Sequence, residues 1–118
     1  MKKILVAEDN DSNFILMTYI LKKFYQFERA KNGQEAVDMV EKGEYDLVLM
    51  DIKMPIMDGL QATRKIKETH PSLPIIALTA NAFDSDRQMA FDAGCDEFLS
   101  KPISSDLCLK TIAKVLGE

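Results

Sequence analysis

Three uninterrupted apolar runs, Ile4-Leu5-Val6-Ala7, Leu47-Val48-Leu49-Met50 and Ile75-Ile76-Ala77-Leu78, constrain this chain more than any other feature. A strand with one face in water alternates apolar and polar residues, whereas a strand covered on both faces reads as a continuous apolar run, the pattern of a parallel sheet. Phe27-Glu28-Arg29-Ala30 and Glu97-Phe98-Leu99-Ser100 are more mixed, which suits strands nearer the sheet edges. Amphipathic stretches fill the intervals. Residues 12–25 carry Phe14, Met17, Leu21 and Phe24 at helical spacing, and Asn32 has the place of an N-cap for a helix burying Ala36, Val37 and Val40. Asp58-Gly59 opens a helix through Leu60, Ala62 and Ile66 that must stop before Pro71, and Ser85 to Ala93 gives another, closed by Gly94. Ser104 or Ser105 caps the last, through Cys108, Ile112, Val115 and Leu116. The order βαβαβαβαβα, with no linker inside it, predicts one α/β domain over residues 1–118 with a parallel sheet.

Composition narrows the function. A chain of 118 residues holds one core. A net charge of −4 disfavours a direct nucleic-acid binder, since phosphate contacts need clustered cations. The apolar run after Met1-Lys2-Lys3 is too short for a signal peptide or a membrane span, so a cytoplasmic protein without membrane insertion is expected. Cys95 and Cys108 lie far apart with no CxxC, and read as reduced packing residues.

In a parallel sheet of this kind the functional crevice lies beyond the carboxyl ends of the strands. The first strand ends in Glu8-Asp9, the third in Asp51, the fourth in Thr79 and the fifth in Lys101-Pro102. Acid, acid, hydroxyl and ammonium therefore arrive at one edge. The loop Glu8-Asp9-Asn10-Asp11-Ser12 has no glycine and several negative charges, so it cannot cradle the phosphates of a nucleotide unaided. Converging carboxylates repel one another, and a hard divalent cation such as Mg²⁺ relieves that repulsion. A carboxylate beside the metal can attack phosphorus and form an aspartyl phosphate, with a hydroxyl and a lysine to receive the phosphoryl oxygens.

Glu8-Asp9, Asp51 followed by Met54-Pro55-Ile56-Met57-Asp58-Gly59, Thr79-Ala80 and Lys101-Pro102 together resemble the signature of two-component response regulator receiver domains, the CheY-like family. The resemblance covers the whole chain. It implies a single flavodoxin-like domain with a five-stranded parallel sheet in order 2-1-3-4-5 and helices on both faces. It also implies phosphotransfer from the phosphohistidine of a sensor kinase or phosphotransfer protein to Asp51, the phosphoacceptor. Mg²⁺ would be held by Glu8, Asp9, Asp51 and the backbone carbonyl of Lys53. Lys101 would pair with the phosphoryl group, Thr79 would hydrogen-bond it after transfer, and Phe98 would occupy the rotating aromatic switch position. The downstream partner would meet the face of the fourth helix, fifth strand and fifth helix. Such a domain is no enzyme with a separate substrate; it assists its own phosphorylation and dephosphorylation. The family usually makes the Lys101-Pro102 bond cis. The runs Ala7 to Asn10 and Leu78 to Phe83 look most like receivers of hybrid sensor kinases and phosphorelays. Lys53 and Asn81, two residues beyond Asp51 and Thr79, stand where they could tune the lifetime of the phosphoryl group.

Plainer readings compete with each assignment. Asp9, Asp11 or Ser12 could cap the first helix, Thr79 could end a strand, Lys101 could be a solvated charge and Phe98 simple packing. Asp58-Gly59 reads mainly as a cap and a close turn, His70 as an exposed surface residue, and the methionines, Met50, Met54, Met57 and Met89 among them, as filler. Two other classes remain open. Asp9-Asn10-Asp11-Ser12 also matches the start of a haloacid-dehalogenase-type phosphatase, which would leave the Lys101-Pro102 and Met54 to Gly59 signatures unused. A receiver-like scaffold that binds partners without phosphorylation is the third. With the last helix ending near Leu116, a stand-alone receiver and a piece of a larger regulator or hybrid kinase fit equally well.

Overall fold

The computed structural model describes residues 1–80 and 84–118, the side chain of Asp84 excepted. Its elements run β1 (Lys3–Ala7), α1 (Asp11–Leu21), β2 (Gln26–Ala30), α2 (Gly33–Lys42), β3 (Leu47–Asp51), α3 (Gly59–Thr69), β4 (Ile75–Thr79), α4 (Asp84–Ala93), β5 (Glu97–Ser100) and α5 (Ser105–Leu116). The strands form one parallel sheet in order β2-β1-β3-β4-β5. The mixed segments are indeed the edges. The flavodoxin-like arrangement is thus the one the sequence led us to expect.

Alternation along the strands divides the core in two. Leu5, Ala7, Val48, Met50, Ile75 and Ala77 belong to the layer with α2 and α3, while Ile4, Val6, Leu47, Leu49, Ile76 and Leu78 pack with α1 and α5. Each fully buried Leu or Ile contributes about 1.5–3 kcal/mol, which is why β3 and β4 carry no polar residue before their last position and β1 none after Lys3 at its start. Asn32, Asp58 and Ser104 cap α2, α3 and α5, their side-chain oxygens accepting from the backbone N–H groups of Glu35, Gln61 and Leu107. Ser104, not Ser105, is therefore the last cap.

Four local expectations are corrected. Helix α1 stops at Leu21, with Lys22 as its C-cap, and the Phe24 amide then bonds three residues back to the Leu21 carbonyl, a tighter turn than the helical step of four. Phe24 thereby leaves the apolar stripe and is 56% exposed, while Tyr25 takes the buried place. The cap of α1 is Asn10, which accepts from the Asn13 amide at 3.0 Å, rather than Asp9, Asp11 or Ser12. His70 is half-buried, since its backbone closes α3 and its Nδ1 lies 2.8 Å from Thr69 Oγ1. Met50, Met54 and Met57 are buried as filler, but Met89 is exposed on α4. Cys95 and Cys108 are free and buried, and burial pushes both thiols up to about 11.

Candidate functional site

Backbone ladders carry the charged residues just past the strand ends. The Glu8 amide donates to the Ala30 carbonyl at 3.0 Å, the Ile52 amide to Leu78 at 3.1 Å and the Lys101 amide to Thr79 at 2.7 Å. Asp51 is the last residue of β3 and shares the α1/α5 face with Leu47 and Leu49. Glu8 is 1% exposed and Asp51 5% exposed, and Lys101 Nζ lies 3.1 Å from a carboxylate oxygen of each. Asp9 stands exposed beside them, and one carboxylate oxygen from each of Glu8, Asp9 and Asp51 falls within 4.8 Å of the others. The Lys101-Pro102 bond is cis. These groups line a cleft of about 230 Å³ together with Lys53 and the buried Thr79.

Two acids sharing one ammonium leave an excess of negative charge in a dry place. Burial first, and then the neighbouring Asp51, push the Glu8 carboxyl up to about 7 despite the opposing pull of Lys101. Burial works against the Lys101 ammonium, yet Asp51 and Glu8 more than offset it and raise its pKa. Glu8 Oε1 is ion-paired with Lys101 but accepts no well-aligned hydrogen bond. A group whose folded pKa lies above its unfolded value contributes stability at low pH that is lost as pH rises, here between about 4.5 and 7. Glu8→Gln should therefore be more stable to unfolding than the metal-free wild type at pH 8, by on the order of 1–3 kcal/mol, with the advantage shrinking toward pH 5. Chemical denaturation at the two pH values checks this; a constant difference would place the strain elsewhere.

The segment after Asp51 is built around that residue. The Lys53 amide donates to Asp51 Oδ1 at 3.3 Å, and the Gly59 amide returns to the Ile52 carbonyl at 2.8 Å, closing the loop onto the end of β3. Met54 and Met57 turn inward, while Ile56 is 83% exposed at a φ of 70°, a left-handed conformation uncommon for a β-branched residue. Phe98 is half-buried against the α2/α3 layer, with Phe91 edge-on at 6.1 Å and the Arg87 guanidinium 5.3 Å above its ring. It lies on the same face of the sheet as Thr79, since Ala77 pairs with Phe98 and Thr79 with Ser100.

The structure thus brings Glu8, Asp9, Asp51, Lys53, Thr79 and Lys101 together, whereas Phe98 on β5 is not among the residues that line the cleft and Asn81 lies outside the described residues. Asn13 and Asp86 also line the cleft and had not been singled out. Asn13 could have been found from the phase of α1, one turn beyond the cap, whereas Asp86 carries no comparable signal. Asp11 faces elsewhere, with its Oδ1 2.9 Å from Arg29 Nη2. The phosphatase reading needs Asp9 and Asp11 at one reacting centre, so it falls.

The donor set fits a hard divalent cation: oxygen ligands only, a buried Glu8 carboxylate oxygen that has an ion pair but no well-aligned hydrogen bond, and an excess of negative charge that a cation relieves. Among the described residues, no helix is long and apolar enough to cross a membrane.

Comparison with known proteins agrees with this geometry. Residues 4–113 match the family model of the response regulator receiver domain. The chain is 42% identical over 132 residues to hybrid signal transduction histidine kinase B of Dictyostelium discoideum, which covers 99% of this chain and 7% of that protein. It spans between 3% and 18% of four further curated relatives. Among solved structures, the receiver domain of a Pseudomonas aeruginosa sensor histidine kinase, described with a magnesium ion coordinated in its active site cleft, superposes with a TM-score of 0.92 at 34% identity, covering 99% of this chain and 98% of that one. The receiver domain of a Saccharomyces cerevisiae response regulator, solved in complex with a histidine phosphotransfer signaling protein, gives a TM-score of 0.90 at 29% identity over 96% and 87% of the two chains.

Proposed function

The chain belongs to the response regulator receiver domain family of two-component systems, and from that premise we propose that residues 1–118 form one receiver whose phosphoacceptor is Asp51. The observation that carries the assignment is the Lys101 ammonium, 3.1 Å from both Asp51 and the buried Glu8. An ammonium held at that distance is already in place for the oxygens of an incoming phosphoryl group. Glu8, Asp9, Asp51 and the Lys53 backbone carbonyl would hold Mg²⁺, which when bound neutralises charge on the phosphoryl oxygens. The Asp51 carboxylate forms a bond to phosphorus as the bond from phosphorus to the donor's histidine nitrogen breaks, and the imidazole leaves with the electron pair. The domain acts as an acceptor that assists its own phosphorylation and dephosphorylation; it turns over no separate substrate.

The donor is a histidine kinase or histidine phosphotransfer protein, a reading supported by the family and by the complex solved for the yeast relative. Phosphorylation adds about −1.5 to −2 charges at one point, so a distant effect needs an element with two states that treat that charge differently. Thr79 and Phe98 are that element, and the α4/β5/α5 face is the surface it remodels for a downstream partner. A compartment in contact with the kinase, the cytoplasm, follows from this role.

One experiment tests the reading. With Mg²⁺ and a small acyl phosphate the protein should gain one acid-labile phosphoryl group by intact-mass measurement, and a chelator should prevent it. Thr79→Ala should still be labelled but lose most of the phosphorylation-dependent NMR shifts around Phe98 and α5. Labelling that ignores the chelator would overturn the site; a full response in the variant would overturn the switch.

A further inference from the structure

We propose that Arg29 is a positioning residue for the metal-binding loop: from β2 its guanidinium fixes the peptide between Glu8 and Asp9 and the first turn of α1, so that both acids meet a divalent cation already oriented. The proposal rests on reading Glu8, Asp9 and Asp51 as ligands. Arg29 Nε donates to the Glu8 carbonyl at 3.0 Å, and Nη2 lies 2.9 Å from Asp11 Oδ1. The guanidinium carbon stands 4.7 Å over the ring of Phe14 on α1. Phe27, two residues earlier on the same face of β2, meets the same ring edge-on at 6.1 Å. The Arg29 side chain is 17% exposed, so the contacts form against packed surroundings rather than in open solvent.

The geometry matters because the Glu8 carbonyl and the Asp9 amide belong to one planar peptide. Holding that carbonyl sets the plane from which both acids project. The Asp11 pair and the Phe14 contact hold the other end of the turn. Groups that orient metal ligands from outside commonly change affinity by about 10–100-fold when removed. Charge acts the other way: a cation beside the loop repels Mg²⁺, and its removal alone would tighten binding. Positioning and charge therefore predict opposite signs.

The test is calorimetric titration of Mg²⁺ into metal-free wild type, Arg29→Met, Arg29→Lys and Asp9→Ala, each first shown to be folded by circular dichroism. Arg29→Met keeps the apolar stem and removes the charge; Arg29→Lys keeps the charge and removes the fork. Both should bind Mg²⁺ about tenfold more weakly, and both should show faster amide exchange over residues 9–13 without metal. If Arg29→Met does not fold, Arg29→Lys decides by the same criterion. Variants that bind Mg²⁺ as tightly as the wild type or tighter, even with a lowered melting temperature, would overturn the role of Arg29 alone. Failure of the wild type to take up Mg²⁺, or equal uptake by Asp9→Ala, would overturn the ligand reading and the proposal with it.

Discussion

Asp51→Asn should gain no phosphoryl group under conditions that fully load the wild type. The amide keeps the size and shape of the carboxylate at a position that is 5% exposed, so the fold should hold. It lacks the anionic oxygen that attacks phosphorus. The remaining acids cannot substitute easily: Glu8 is buried beside Lys101 with its proton held up to about 7, and Asp9 stands exposed at the rim. Intact mass after treatment with Mg²⁺ and a small acyl phosphate reads the result, with circular dichroism to establish folding. Labelling of the variant to the extent of the wild type would move the acceptor to another residue. A second consequence travels with the substitution: without the neighbouring charge, Glu8 should ionise more readily, because Asp51 is one of the causes that raise its pKa.

That Asp51 is legible in the sequence follows from how a parallel sheet is written there. Burial on both faces forces Leu47-Val48-Leu49-Met50 to be apolar throughout, so an acid directly after such a run marks the strand's end and the crevice beyond it. The same logic exposes Glu8 and Thr79, whereas Lys101 follows a mixed edge strand and stands out through the proline after it. That logic fails for Arg29, because on an edge strand a charged residue is ordinary and nothing in its neighbours reveals that its guanidinium reaches the Glu8 carbonyl. It fails for Asp86, a half-buried acid inside α4 that no apolar run precedes. The end of α1 is hidden in the sequence for another reason. Phe24 continues the apolar spacing of Phe14, Met17 and Leu21, and only the turn onto the Leu21 carbonyl removes it from the helix.

Gly59→Ala should destabilise the protein by about 3 kcal/mol or more, a large part of the 5–15 kcal/mol that holds a typical domain together. On helix propensity alone the substitution would help by about 1 kcal/mol, since Gly59 is the first residue of α3. Space decides against it. A Cβ there would collide with the Asp51 carbonyl oxygen and stand 2.9 Å from the Ile52 Cα, both backbone atoms that cannot swing aside. Relief requires α3 to withdraw from the end of β3 and the hydrogen bond from the Gly59 amide to the Ile52 carbonyl to break. Urea unfolding of wild type and variant measures the loss. A change within about 0.5 kcal/mol, the size usual for unremarkable surface substitutions, would show that the loop yields at little cost.

The close seating of Gly59 also bears on how the chain could vary while keeping its chemistry. The loop from Ile52 to Asp58 is anchored at both ends by backbone, through the amides of Lys53 and Gly59, and inward by Met54 and Met57, while Ile56 points away from all of them. The Ile56 side chain therefore takes no part in that anchoring. A lineage of such chains can rewrite position 56 to suit different neighbours, yet it must preserve the missing side chain at position 59, where an added methyl group would strike the peptide that carries the acceptor. Drift at the tip and rigidity at the hinge, three residues apart, are two results of one backbone path.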